Sequence, residues 1–254
     1  MNKLFNRVPE ITLFFWVIKI MATTVGETAA DFLAFTMKLG LINTSWVMSG
    51  LLVFALLIQF KLKRYVPVSY WLVVVMVSVV GTLITDNLVD NLGVSLVTIT
   101  VVFSIALAVV FALWYASEKT LSIHSIYTAR RELFYWAAIL FTFALGTAAG
   151  DLVAEHMALG YAISALMFGS VIAVIALAYY RFKLNAVLAF WLAYILTRPF
   201  GASMGDLLSQ PVNVGGLGFG TIGISGVFLG AIVILIAYLS MQQKQQLLTA
   251  SSAE

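Results

Sequence analysis

The stretch WVIKIMATTVGETAAD, running from Trp16 to Asp31, decides how this chain is read. It opens on a tryptophan, carries a glycine ten residues on, and closes on an aspartate five residues later. The same frame returns as WLVVVMVSVVGTLITD from Trp71 to Asp86, as WAAILFTFALGTAAGD from Trp136 to Asp151, and as WLAYILTRPFGASMGD from Trp191 to Asp206. Trp-x9-Gly-x4-Asp holds without a gap in all four copies, whose tryptophans lie 55, 65 and 55 residues apart. A fixed period of this kind sets the architecture before any single residue is weighed.

Each copy sits in an apolar run. The chain is 62% hydrophobic and 10% charged, where a soluble domain is nearer half and a quarter. Eight segments can cross a hydrocarbon layer of about 30 Å as helices. They are Ile11–Phe35, Ser45–Phe60 (with a helix starting near Leu41), Pro67–Val89, Leu92–Tyr115, Arg131–Met157, Tyr161–Tyr180, Asn185–Ser209 and Phe219–Leu239. Lipid offers the backbone no hydrogen-bond partner, so all should be α-helical. Two spans per repeat place repeats at 11–65, 66–120, 131–184 and 185–240, with 241–254 as a flexible tail. The expected fold is all-α, with four tandem parallel two-helix repeats related by rotation about the membrane normal.

Lys3 and Arg7 precede the first apolar run, which Lys19 interrupts and no small-x-small cleavage site follows; it is read as a retained span. Loop charge sets the orientation. Lys3, Arg7, Lys61, Lys63, Arg64, Lys119, Arg130, Arg131, Arg181, Lys183 and Lys244 fall on one side and only Lys38 on the other. The positive-inside rule then places both termini in the cytoplasm. Each Trp is expected in an interfacial ring at the cytoplasmic face, and each Asp about 22 Å further along. The linker 116–130 reads as a solvated connector. Lys19 reads as a snorkelling cation.

Counted from each Trp, polar positions recur every fourth residue. Thr23, Ser78, Phe143 and Arg198 stand at +7, and Glu27, Thr82, Thr147 and Ala202 at +11. The four aspartates stand at +15, and Phe35, Asp90, Glu155 and Gln210 at +19. Four residues advance a helix only about 40° past a full turn, so each set shares one face. An ionisable group at mid-membrane costs about 2.5–3.5 kcal/mol and therefore faces protein or water. Asp31, Asp86, Asp151, Asp206 and Glu27 are accordingly the candidate cation- or proton-binding residues. Asp90, Glu155 and His156 form a candidate outer mouth, with Arg198 as counter-ion to Glu27. The glycine at +10 reads first as a close-packing position, since only the fourth copy adds a proline, Pro199. Small residues at four-residue steps in the even spans (Ala165, Gly169 and Ala173; Gly226 and Gly230) read the same way.

The fourfold two-span unit with its Trp and Gly-x4-Asp core resembles a bacterial membrane-protein family of four tandem repeats of unknown function. The resemblance covers nearly the whole chain. It implies an eight-helix protein of the bacterial inner membrane and no established activity. The pairs Gly150-Asp151 and Gly205-Asp206, and Gly26-Glu27 with Asp31, also resemble the acid-and-glycine motifs of calcium/manganese–proton antiporters. Those carry inverted repeats and a Glu-x-Gly-Asp string that this chain lacks, so no residue is transferred from them.

Four carboxylates around one axis need protons or a counter-cation. Carboxylates without any cysteine suit hard ions such as Mg²⁺, Ca²⁺ or Mn²⁺, and His156 would add a ligand for Mn²⁺ or Zn²⁺. The leading expectation is a secondary transporter or exporter of a small, divalent cation in which proton exchange at the same acids supplies the coupling. No resident cofactor and no catalytic constellation is expected; the partners are the bilayer and the cation. A net charge of +3 is too small and scattered for a nucleic-acid face. The alternatives are a cation channel or organic-cation carrier, and a non-transporting receptor or assembly protein. An intramembrane aspartic protease would need Gly-x-Gly-Asp, where this chain has Ser203-Met204-Gly205-Asp206. The dinucleotide-like string from Gly218 to Gly223 has no preceding strand and is set aside.

Overall fold

The computed structural model describes residues 6–251, with side chains for 6–245; Lys3 and residues 252–254 lie outside the described residues. Eight helices among them are long and apolar enough to cross a membrane, and there is no strand. They are α1 (Leu13–Asp31), α2 (Leu41–Lys61), α3 (Pro67–Asp86), α4 (Leu96–Glu118), α5 (Ala129–Asp151), α6 (Tyr161–Phe182), α7 (Ala186–Ser209) and α8 (Thr221–Ser251). This is the multi-pass helical architecture expected from the four repeats. Residues 241–251, expected as a flexible tail, continue α8 instead, and Gln243 Nε2 donates to the Tyr65 carbonyl at 2.8 Å.

Helix starts follow local chemistry. The side chains of Thr12, Ser95, Thr128 and Asn185 accept from backbone N–H groups one turn on, which satisfies otherwise orphaned donors. Pro67 opens α3, where its missing N–H costs nothing. The ends of the odd helices are less regular. Immediately after Asp31, Asp86 and Asp151 the backbone widens into a single π-turn, Phe32–Thr36, Asn87–Asn91 and Leu152–His156. The fourth repeat has none. Pro211 lacks the N–H that another turn would use and forces Gln210 into extended backbone, so α7 stops at Ser209.

The odd helices form a closed ring in which α1 packs on α3, α3 on α5, α5 on α7 and α7 on α1. Each even helix lies against the odd helix of the following repeat: α2 on α3, α4 on α5, α6 on α7 and α8 on α1. Every repeat thus hands its second helix to its neighbour, and the last hands it to the first. Between 56 and 67% of the apolar stretch of each odd helix is buried, against 6–22% for the even helices. The polar stripe therefore turns inward and the apolar even helices face outward, as their hydropathy requires.

The ring is locked at the +10 glycines. A Cβ on Gly26 would overlap Ser78, one on Gly81 would meet Phe143, one on Gly146 would meet Arg198, and one on Gly201 would overlap Thr23. In every case the +7 side chain of the next repeat occupies the space a methyl group would fill. The same knob and the same hole recur four times, and the fourth closes on the first. Close packing is thus the role of this glycine. The small-residue steps on the even helices behave differently. Gly169 faces the Phe200 ring, but Gly226 and Gly230 have no neighbour where a Cβ would stand and Ala173 is exposed, so they do not mediate contacts between the described helices.

Three further expectations are corrected. Trp71, Trp136 and Trp191 are buried between helices, and only Trp16 is part-exposed. An indole here fills core volume and its N–H finds a partner (Tyr65 Oη, Glu132 Oε1 and the Leu121 carbonyl), which an interfacial ring would take from water. Lys19 is fully buried and does not snorkel. It lies on the inner face of α1, and its ammonium donates to the Tyr194 carbonyl at 3.1 Å and to Thr197 Oγ1 at 2.5 Å. The linker between repeats two and three is no loose connector. Ile123 and Ile126 are buried, and Asn6 bonds to both of their backbones.

Candidate functional site

The four-residue stripe becomes a stack of rings along the bundle axis. At the end far from the aspartates, Glu132 lies four residues before Trp136 and is fully buried. It accepts from Arg7 Nη1 at 2.5 Å and from Gln59 Nε2 at 3.1 Å. One residue before each Trp stand Phe15, Tyr70, Tyr135 and Phe190, all buried. The hydroxyls of Tyr70 and Tyr135 are 2.5 Å apart, and Phe15 and Phe190 have ring centroids 6.0 Å apart. This aromatic layer fills the axis.

Above it sits Lys19, at +3. Its ammonium lies 4.0 Å from the Tyr194 ring centroid and 5.1 Å from that of Phe143. The next level belongs to Arg198, whose side chain is fully buried. Its Nη2 donates to Glu27 Oε2 at 2.8 Å, to Thr147 Oγ1 at 2.8 Å and to Thr82 Oγ1. Its Nη1 donates to the Thr23 carbonyl at 3.2 Å. Glu27, Thr82 and Thr147 are the +11 residues of the first three repeats, so a side chain from the fourth joins one from each of the others. The fourth repeat's own +11 residue is Ala202, whose methyl group leaves the space open.

The aspartates stand one helical step, about 6 Å along the axis, above the +11 residues that this arginine binds. Asp31, Asp86, Asp151 and Asp206 line one cavity of about 160 Å³ together with Glu27. The cavity is rimmed by the +19 residues Phe35, Asp90, Glu155 and Gln210. Ligand oxygens of Glu27, Asp151 and Asp206 come within 4.8 Å of one another. That spacing suits three oxygens around one hard cation. Asp31 accepts a long hydrogen bond, 3.4 Å, from Gln210 Nε2. Among the described residues no donor is found for the side chains of Asp86, Asp151 or Asp206. Their oxygens are not walled off from the cavity, so the lone pairs are presented to whatever fills it.

Most of the residues singled out from the sequence meet here, though not as one symmetric set. The tightest carboxylate group is Glu27 with Asp151 and Asp206, while Asp31 and Asp86 complete the wall. Asp90 and Glu155 are exposed at the rim, where Tyr161 Oη donates to Glu155 Oε1 at 3.2 Å. His156 ends its π-turn exposed and does not line the cavity. Sequence reasoning passed over Thr82 and Thr147 as arginine ligands and Glu132 as the partner of Arg7. The signal for the threonines was their +11 register with Glu27. Glu132 continues the stripe to −4.

Four segments of the chain, 14–65, 69–120, 134–185 and 189–245, match a family model described as Repeat of Unknown Function (DUF347). Each match begins two residues before a repeat tryptophan, so family repeat and structural repeat are in phase. No curated protein and no solved structure matches the chain.

Proposed function

We propose, for a chain that belongs to the family of the Repeat of Unknown Function (DUF347), that it is a secondary transporter of a small divalent cation. The observation that carries the reading is the convergence of five carboxylates on one small cavity, three of them without a hydrogen-bond donor among the described residues. Buried acids that stabilise a fold are normally hydrogen-bonded or paired. Acids left open toward a shared cavity are arranged for a ligand, and oxygen-only ligation selects Mg²⁺, Ca²⁺ or Mn²⁺.

Size separates this reading from an organic-cation carrier. A cavity of about 160 Å³ is well below the roughly 300–1,000 Å³ of sites for drug-sized ligands, and among the described residues Phe35 is its only aromatic lining residue. Closure favours it over a channel. Arg198, Lys19 and the aromatic layer from Phe15 to Phe190 fill the axis below the acids, so a cation admitted from the acid end has no continuous path onward. Such one-sided access is the property of a carrier.

The basic loops lie at the end away from the acids, which by the positive-inside rule supports cytoplasmic termini and a cavity facing the outside of a bacterial inner membrane. Proton exchange at the same carboxylates would couple the cycle, since vacated oxygens can take protons in place of the ion. Proteoliposomes loaded with a divalent-sensitive dye test this. Flux of Mn²⁺, Mg²⁺, Ca²⁺ or Zn²⁺ should follow an imposed pH gradient and collapse in Asp151→Asn and Asp206→Asn. Equal flux in parent, variants and empty liposomes for every ion would refute transport.

A further inference from the structure

We infer that Arg198 is a tethered cation that competes with the transported ion for Glu27 and so sets the charge the site accepts. The inference rests on the cation-site reading above. Three observations carry it.

Glu27 belongs to two clusters at once. Its Oε2 accepts from Arg198 at 2.8 Å, while a carboxylate oxygen of the same residue lies within 4.8 Å of those of Asp151 and Asp206. A cation drawn in among the three acids must share Glu27 with the guanidinium or take it away. Two positive charges on one carboxylate repel, and at these distances and in a poorly solvated interior the repulsion is large.

The arginine already occupies a coordination-like site. Its Nη2 has a carboxylate and two threonine hydroxyls as acceptors, each from a different repeat. Ala202 supplies no side-chain atom that would compete for that place. A guanidinium in such a nest does what a bound ion would do, which is to hold the +11 ring together.

The arginine is incompletely latched. Its Nε is buried with no acceptor among the described residues, and below it stand the Phe143 ring, 5.6 Å from Cζ, and the second buried cation, Lys19. A buried donor left without a partner weakens the hold of the native position. The ion that removes Glu27 therefore also releases the residue that closes the axis. A divalent ion does this more effectively than a monovalent one because it interacts about twice as strongly with the same carboxylates. Binding and opening of the floor become one event, driven by the difference in affinity between the two states.

The test is equilibrium Mn²⁺ binding to the purified full-length protein in lipid nanodiscs, read by the electron paramagnetic resonance of free Mn²⁺. Parent, Arg198→Gln, Glu27→Gln and the double variant are compared. Arg198→Gln should bind Mn²⁺ at least about tenfold more tightly than the parent. In the Glu27→Gln background the same substitution should gain less than about threefold, because the contested carboxylate is gone. Unchanged or weaker binding by Arg198→Gln overturns the inference. An equal gain in both backgrounds also overturns it, since Arg198 would then act only as a distant charge. If Arg198→Gln does not fold, Arg198→Lys takes its place. A lysine is too short to reach three +11 oxygens, so tighter binding is expected from it and parent-like binding overturns the inference. Absence of Mn²⁺ binding in the parent and in Arg198→Gln alike overturns the cation-site reading itself, and this inference with it.

Discussion

Thr23 of α1 seats its side chain on Gly201 of α7, and this contact closes the ring of odd helices. Beside it Thr24 Oγ1 donates to the Gly201 carbonyl at 3.0 Å. The first repeat therefore meets the fourth through the same knob and hole that join consecutive repeats. Closure rests on small groups, so it is sensitive to single methyl groups.

Adding a methyl group at Gly81 should destabilise the bundle. A Cβ there would lie 2.7 Å from Phe143 Cβ and 3.1 Å from the Ala144 backbone nitrogen, neither of which is a flexible chain end. Overpacking of this kind costs about 1–3 kcal/mol. Gly226→Ala and Gly230→Ala, which meet nothing within 4 Å, should leave stability unchanged or slightly raised. Thermal unfolding in detergent distinguishes the two classes, and a Gly81→Ala protein as stable as the parent would contradict the locking role.

Asp86→Asn, Asp151→Asn and Asp206→Asn should each reduce cation flux at least about tenfold while the protein stays folded. These carboxylates have no donor among the described residues to lose, so an amide of the same shape removes charge without breaking a contact. Asp90→Asn and Glu155→Gln at the exposed rim should change flux by less than about threefold, since exposed charges are screened by salt. Flux assays paired with melting curves read both effects. Three inert but unfolded aspartate variants would mark the acids as structural.

The chain contains no cysteine, which makes labelling clean. Cysteines at Lys38 and Lys63, both exposed in loops at opposite ends of the bundle, should react from opposite sides of the membrane with an impermeant maleimide. The position-38 label should be the external one. Labelling of both from outside would reject the orientation.

Glu132→Ala should be the most damaging single change away from the cavity. It leaves the part-buried guanidinium of Arg7 with only a long bond to the Phe60 carbonyl, 3.5 Å, and Gln59 without its acceptor. Breaking a buried pair from one side costs about 3–5 kcal/mol. Mn²⁺ affinity of whatever protein folds should be unaltered, because the pair lies at the other end of the stack. A stable Glu132→Ala protein with weakened Mn²⁺ binding would refute this separation.

Lys19→Met should be tolerated. Lys19 has no carboxylate partner among the described residues and is held by a carbonyl, a hydroxyl and two ring faces. An apolar side chain of similar length in such a place is commonly neutral or stabilising. A melting temperature several degrees below that of the parent would show that the cation itself holds the ring.

Span number, helix period and the inward face of Asp31, Asp86, Asp151 and Asp206 were legible in the chain itself. Each follows from a local rule: hydrocarbon leaves a backbone only helix to form, and a residue every fourth position stays on one side of a helix. The fourfold Trp-x9-Gly-x4-Asp frame adds that all four repeats must do the same thing. What the spacing cannot contain is the pairing between repeats. Arg198 meets Thr147, Thr82 and Glu27 across 51, 116 and 171 residues, and only ring closure brings those positions to one point. The burial of Lys19 was decided the same way. Near a helix end an isolated lysine reaches water, but here α7 and the Phe143 ring stand between it and any surface. The tryptophans went inside because each odd helix is wrapped by both ring neighbours and by an even helix from the preceding repeat, a handover that no single repeat encodes.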